Sequence, residues 1–326
     1  MAYGLYAAVM DGWMGLKERE IIPPPPDLKG LAMRVAAGFL TLFLSCAASA
    51  VTAGTPVATV QAVQSPAWLQ RDGRSQPLAV GMALKNGDRI VTGADARAEL
   101  RVAEGSAVKL GGDAKLNIFT RSLKPQKDFK GALDVLTGAF RFTTNVFSRT
   151  HAKRDLAIRV GTATIGIRGT DVWGRSSKEE DLVCLIEGKI ALAHGGETIE
   201  MADPMSFFVA PKGQAAQPVG PVDADKLKGW ARETEILPGD GAQRSGGRWL
   251  VRLGRVDSQE QALDIYDMAR AAGFAPKITP RPAQGAEKAP WAYEVVLANA
   301  ATEADAKVMA ARINGLLSWK AEATPR

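Results

Sequence analysis

The sequence predicts a multidomain protein, β followed by α+β: an all-β sandwich or roll at about 55–212, then a small βαββαβ unit at about 245–323. Three observations carry this. Short runs of alternating apolar and polar residues, cut by Gly-, Asn- and Asp-centred turns, fill the first part. Long helical periodicity begins only after Arg248. The 33 Gly and 18 Pro among 326 residues, with 6% aromatics, suit many short strands better than a helical array.

Met33-Arg34 precedes the apolar run Val35–Leu44, in which Thr41 is the one polar residue, and Ala48-Ser49-Ala50 supplies small residues for cleavage. One charge, a short apolar core and an A-x-A end read as a secretory signal at 33–50, cut after Ala50, which places the mature chain in the periplasm with no integral membrane span. Residues 1–32, with Pro23–Pro26, read as an over-extended reading frame or disordered tail ahead of a true start at Met33. Lipidation of Cys46 is disfavoured because Phe43 stands where such a motif wants Leu. Cleavage leaves Cys184 alone, so no intrachain disulfide forms, and the apolar run Leu182–Ile186 marks Cys184 as an inert core thiol.

Within the β part, turns fall at Asp72-Gly73, Asn86-Gly87-Asp88, Gly93-Ala94-Asp95, Glu104-Gly105-Ser106 and Gly111-Gly112-Asp113. Ala98–Leu110 reads as a hairpin with Leu100, Val102, Val108 and Leu110 inward and Glu99, Arg101 and Lys109 toward water. Leu182–Ile186, Lys189–Ala193 and Thr198–Met201 repeat the scheme, with a bulge at Gly188. Residues 213–244 read as a linker containing one short helix at Asp225–Glu235, whose Trp230 packs on the β part.

Beyond it come a strand at Trp249–Leu253 and a helix at Ser258–Ala272, with N-cap Ser258, apolar Ala262, Ile265, Met268 and Ala269, and a stop at Gly273. A strand at Ala275–Thr279, a loop at Pro280–Pro290 and a strand at Trp291–Leu297 follow. A helix at Thr302–Leu317, lined by Ala306, Met309, Ile313 and Leu316, leads to a last short strand at Ser318–Ala321.

Charge and composition exclude several classes. Lys and Arg outnumber Asp and Glu by 41 to 35, too mild an excess to select a polyanion. Two His and two Cys leave no His/Cys metal site and no nucleophile–His pair, so no enzyme, metal or cofactor is expected. His151 and His194 are read as surface residues. The Gly161–Arg168 stretch lacks the Lys-Ser/Thr and following helix of a phosphate loop. Residues 121–159 hold nine Lys/Arg against three Asp/Glu with Phe129, Phe140, Phe142 and Phe147 interleaved, read as a solvated β surface and not as a nucleic-acid site.

Two stretches resemble known families. Trp249–Val256, Ala262–Gly273 and Tyr293-Glu294-Val295 resemble the SPOR (sporulation-related repeat) domain, whose ferredoxin-like βαββαβ fold binds peptidoglycan strands stripped of stem peptides. Arg252 and Val256 depart from the family's usual Gln and Phe. Gly87-Asp88-Arg89-Ile90-Val91-Thr92-Gly93, Glu104-Gly105-Ser106, Ile165–Asp171 and Glu187–Ile190 resemble the FecR domain family. That resemblance implies a periplasmic recognition or scaffolding domain with structural-motif residues Gly87, Asp88, Gly93, Arg168, Gly169 and Thr170. Arg168 is expected to anchor a turn, pairing with Asp171. An anti-sigma role is not expected, because 32 residues cannot supply the cytoplasmic regulator.

In the C-terminal unit, period-2 alternation puts Arg252 opposite Trp249, Val251 and Leu253, on the open sheet face with Glu294. Arg252, Glu294 and the weaker candidates Arg255 and Trp291 are the expected glycan-binding set. The function expected is non-enzymatic peptidoglycan binding at wall or septum during cell division, positioning the FecR-like domain. The alternative is a periplasmic signalling or ligand-sensing protein in which the C-terminal unit only localises.

Overall fold

The computed structural model describes residues 56–124, 128–144, 153–167, 169–282 and 291–326. The expected leader, Cys46 and His151 lie outside them. The β part is a continuous, mainly antiparallel sheet folded into two layers. One layer runs β4 (Ala83–Leu84), β1 (Ala58–Gln64), β6 (Arg97–Val102), β7 (Ala107–Leu110), the end of β9 (Asp128–Thr143), β12 (Asp171–Ser176), β13 (Glu180–Glu187), β16 (Ser206–Pro211) and β17 (Gly220–Pro221). The other runs β3 (Arg74–Pro77), β2 (Ala67–Arg71), β5 (Arg89–Thr92), β8 (Lys115–Lys124), the start of β9, β10 (Lys153–Val160), β11 (Ala163–Ile167), β14 (Ile190–His194) and β15 (Glu197–Met201). Only β9 and β10 pair in parallel among these.

The layers share β9. Its first half pairs with β8 and β10, its last residues with β7 and β12. The crossing point is Gly138, at φ +85°, where a Cβ would collide with Ala114. Only glycine satisfies both the left-handed backbone and the close approach. Inward residues of both layers, among them Leu69, Leu100, Leu116, Val135, Phe140, Phe142, Ile158, Val172 and Phe208, form one buried core. Alternation explains the membership: Ala98, Leu100 and Val102 are buried on β6, while Arg97, Glu99 and Arg101 point outward.

Residues 213–244 are woven into the structure. Helix α1 (Ala224–Thr234) starts at Asp223, whose carboxylate accepts hydrogen bonds from the amides of Asp225 and Lys226. It lies on the outer face of the first layer, over Trp173, Leu182, Cys184 and Val209. Glu99 and Lys109, expected to face water, meet this segment instead: Lys109 pairs with Glu235 at 2.6 Å and Arg244 with Glu99 at 2.7 Å. Two-residue β18 (Gln243–Arg244) pairs with β1 on one side and with Ala300 on the other.

The C-terminal unit contains β19 (Trp249–Val256), α2 (Gln259–Ala271), β20 (Lys277–Pro282), β21 (Trp291–Ala300), α3 (Glu303–Leu317) and β22 (Glu322–Pro325). Its antiparallel strand order is β22–β19–β21–β20, the split-βαβ arrangement. Val251, Leu253, Val295 and Leu297 pack under Ala262, Ala269, Ala306, Met309 and Ile313. Met268 and Leu316, expected in these interfaces, are exposed. Ala269 and Ala310 take the central positions, because small residues let the helices sit close to the sheet. The last strand begins after Ser318, a left-handed residue closing α3, so it falls at 322–325 and not at 318–321.

The unit is fastened to the roll at several points, and residues 53–326 cluster together. Ala67 donates its amide to the Gly273 carbonyl at 3.2 Å, and Arg312 Nη1 donates to Ser65 O at 2.9 Å. The tightest fastening is Asp305, a buried carboxylate. Its Oδ1 accepts from the amides of Gly239, Gly241 and Ala242, and its Oδ2 from the amide and hydroxyl of Thr302.

Candidate functional site

Two sets of residues come from the sequence. The first frames turns in the roll. Asp88 is buried and accepts a two-pronged contact from Arg71, at 2.7 and 2.6 Å, plus the Lys85 amide at 2.7 Å. The Asp88 bonds raise the Arg71 pKa, against an opposing effect of burial. Gly87 needs its φ of +84° for the turn, while Gly93 lets Pro66 approach. Gly169 has φ +73°, and the Thr170 amide donates to the Thr144 hydroxyl while the Thr144 amide donates to the Thr170 carbonyl. Arg168 lies outside the described residues. Its expected partner Asp171 has both carboxylate oxygens engaged by Arg141, at 2.9 and 2.6 Å. Each of these contacts closes a corner where the chain passes between layers, which is scaffolding chemistry.

The second set lies on the C-terminal sheet. A bulge at Leu253 adds one residue to β19 relative to β21, so Arg252 and Arg255, three apart, share the face away from the helices. Gly254 then faces α2, where a Cβ would press on Ile265 at 2.7 Å. Glu294 sits between strands on the open face: Arg252 Nε lies 3.6 Å away, Arg255 Nη1 3.9 Å and Arg281 Nε 3.6 Å. Its side chain is 14% exposed against 39%, 39% and 59% for the arginines, so the carboxylate is sunk among three guanidinium groups. Lys277 and Thr279 flank them on β20, and Glu322 on β22.

The structure brings Arg252, Arg255 and Glu294 together and separates Trp291 from them. Trp291 is 58% exposed, but β21 is regular from 291 to 296 in its pairing with β20, so Trp291 has the parity of Val295 on the helix side. Arg281 is the residue missed. Pro280 and Pro282 make its segment read as loop, yet β20 is an edge strand with one unpaired side, where missing amides cost little.

Residues 88–191 match the family described as FecR protein, which is less than half of the chain. No curated protein shows significant similarity. Two crystal structures, both provisionally described as an anti-sigma factor from Parabacteroides distasonis, are distant likenesses. One shares 11% identity at TM-score 0.37, covering 62% of this chain and 96% of that one. The other shares 12% at TM-score 0.37, covering 71% and 91%. Likenesses this distant carry no argument about function. The SPOR resemblance has no family match behind it, and a split-βαβ arrangement hosts many unrelated activities. The expectation of peptidoglycan binding is therefore corrected: the family signal falls on the roll, and it favours the signalling alternative. Residues 88–191 carry the signature of the FecR protein family.

Proposed function

We propose that the chain is a FecR-like signalling protein, a non-catalytic sensor that recognises a ligand or partner in the cell envelope. The observation that carries this is the family match over 88–191, the stretch from the Asp88 corner through β14 that builds the centre of both layers. Export to the periplasm belongs to the same reading, supported by the Met33–Ala50 leader pattern. The earlier exclusion of an anti-sigma role rested on residues 1–32, outside the described part. The C-terminal unit, which the signalling alternative took only to localise, works in this reading as part of the sensor, because β18 and Asp305 tie it to β1 and to the segment that carries α1.

The test is transcript profiling of a deletion strain under envelope stress. A defined transcript set should change on deletion and return with the full chain. An unchanged profile, with or without complementation, overturns the signalling reading.

A further inference from the structure

The open face of the C-terminal sheet is not charge-balanced. Among the described residues, Lys277, Arg281, Arg252 and Arg255 share it with only Glu294 and Glu322. The three arginines stand 3.6–3.9 Å from Glu294, beyond good hydrogen-bond range, and no hydrogen bond engages them among the described residues. The Nε of Arg252 is shielded from solvent and has no acceptor. Guanidinium groups normally spend their fork of donors on carboxylate or phosphate oxygens. Here the donors are gathered on one face and left largely unspent.

We propose that this face docks an acidic segment of a partner protein, with carboxylates of the partner accepting from Arg252, Arg255 and Arg281 around the charge of Glu294. The inference rests on the sensing role and names the partner's chemistry. Charge complementarity selects an anion. Glu294 at the centre selects spaced single charges over phosphate, whose higher charge it repels more strongly. Ala292 and Val296, between the arginines on this face, are buried, so what a partner meets there is the guanidinium groups themselves. Among the described residues, neither a helix N-terminus nor a nest of amides, the usual phosphate cradle, belongs to this face. Pro280 and Pro282 remove amide donors from the β20 edge, so the partner lies across the face and is not added as a strand.

The experiment is fluorescence anisotropy of the full chain with labelled poly-L-glutamate, compared with inorganic polyphosphate and with phosphatidylglycerol vesicles. Replacing all three arginines by Gln should weaken peptide binding by about tenfold or more, as each charge-assisted contact is lost. Arg281→Ala alone, at an exposed position, should weaken it about threefold without disturbing the fold. Glu294→Gln should tighten it about threefold, because a competing charge is removed. A control with Arg74, Lys178 and Lys189 changed to Gln removes equal charge elsewhere. The proposal is overturned if that control loses as much as the face variant, if Glu294→Gln weakens binding, or if polyphosphate or vesicles bind and the peptide does not. No peptide binding by the unaltered chain, with the deletion transcripts still altered, sinks the docking face alone. Retained binding with an unaltered transcript profile sinks the signalling role and leaves the face standing.

Discussion

Trp230 of α1 lies flat on Trp173 of β12, with ring centroids 5.2 Å apart and planes 2° from parallel. Phe207 meets Trp230 edge-on at 5.8 Å, and the Lys226 ammonium sits 5.0 Å from its ring. Both indoles are buried, so one aromatic stack clamps the helix to the sheet. Trp230→Ala should cost about 3 kcal/mol in urea unfolding. It should also open Lys226, Lys228 and Arg232 to trypsin under native conditions. An unchanged midpoint would mean that the ion pairs of Glu233 and Glu235 hold the helix unaided.

Cys184 lies in the apolar layer under this helix. Burial pushes its thiol up to about 12, with the Asp171 charge adding to the effect. The thiolate population at neutral pH is therefore negligible. In a Cys46→Ser background, maleimide labelling of Cys184 at pH 7.5 should be undetectable in the folded protein and complete in urea. Trp230→Ala should restore measurable native labelling.

Asp305 accepts from five donors: the amides of Gly239, Gly241 and Ala242, which join α3 to the 239–242 segment, and the amide and hydroxyl of its own N-cap Thr302. Removing the carboxylate strands buried amides, so Asp305→Ala should cost about 3 kcal/mol, more than an ordinary N-cap loss. Hydrogen exchange at Gly239, Gly241 and Ala242 should accelerate ahead of the roll. Uniform acceleration throughout the chain would show that the bracket is no local fastening.

Asp181 is fully buried between β12 and β16. Burial alone would raise its pKa, but Lys212, the Ser176 hydroxyl and the amide and hydroxyl of Thr162 together outweigh that and hold it below the usual carboxylate range. A depressed folded-state pKa contributes stability above the unfolded-state value and loses it as pH falls through the folded one. Chemical denaturation from pH 7 down to pH 3 should therefore show a loss on the acid side that is reduced in Asp181→Asn. That variant should be less stable at pH 7. Parallel pH profiles would assign the acid loss to other carboxylates.

Local patterns in the sequence were readable wherever physics is local. Alternation placed Leu100, Val102, Val108 and Leu110 inward, and Ser258, Thr302 and Gly273 bounded the helices. Strand order in the C-terminal unit followed from element order. Features set by distant partners were not readable. The reach of β9 across both layers depends on Gly138 meeting Ala114, a contact that no periodicity announces. The Leu253 bulge, visible only in the pairing with β21, decides that Arg255 joins Arg252. Two prolines concealed Arg281. Glu233 and Glu235, at the end of α1, meet Arg175, Lys109 and Arg141 from strands far away in the chain.

The shared strand β9 also bears on how the protein is made. Strands β7 and β8 both await pairing with residues 128–143, the one with its end and the other with its beginning. During synthesis, everything ahead of residue 128 emerges without the rib that both walls lean on. A ribosome paused before that point would display the unfinished edges of both walls at once, so neither wall can close ahead of the other.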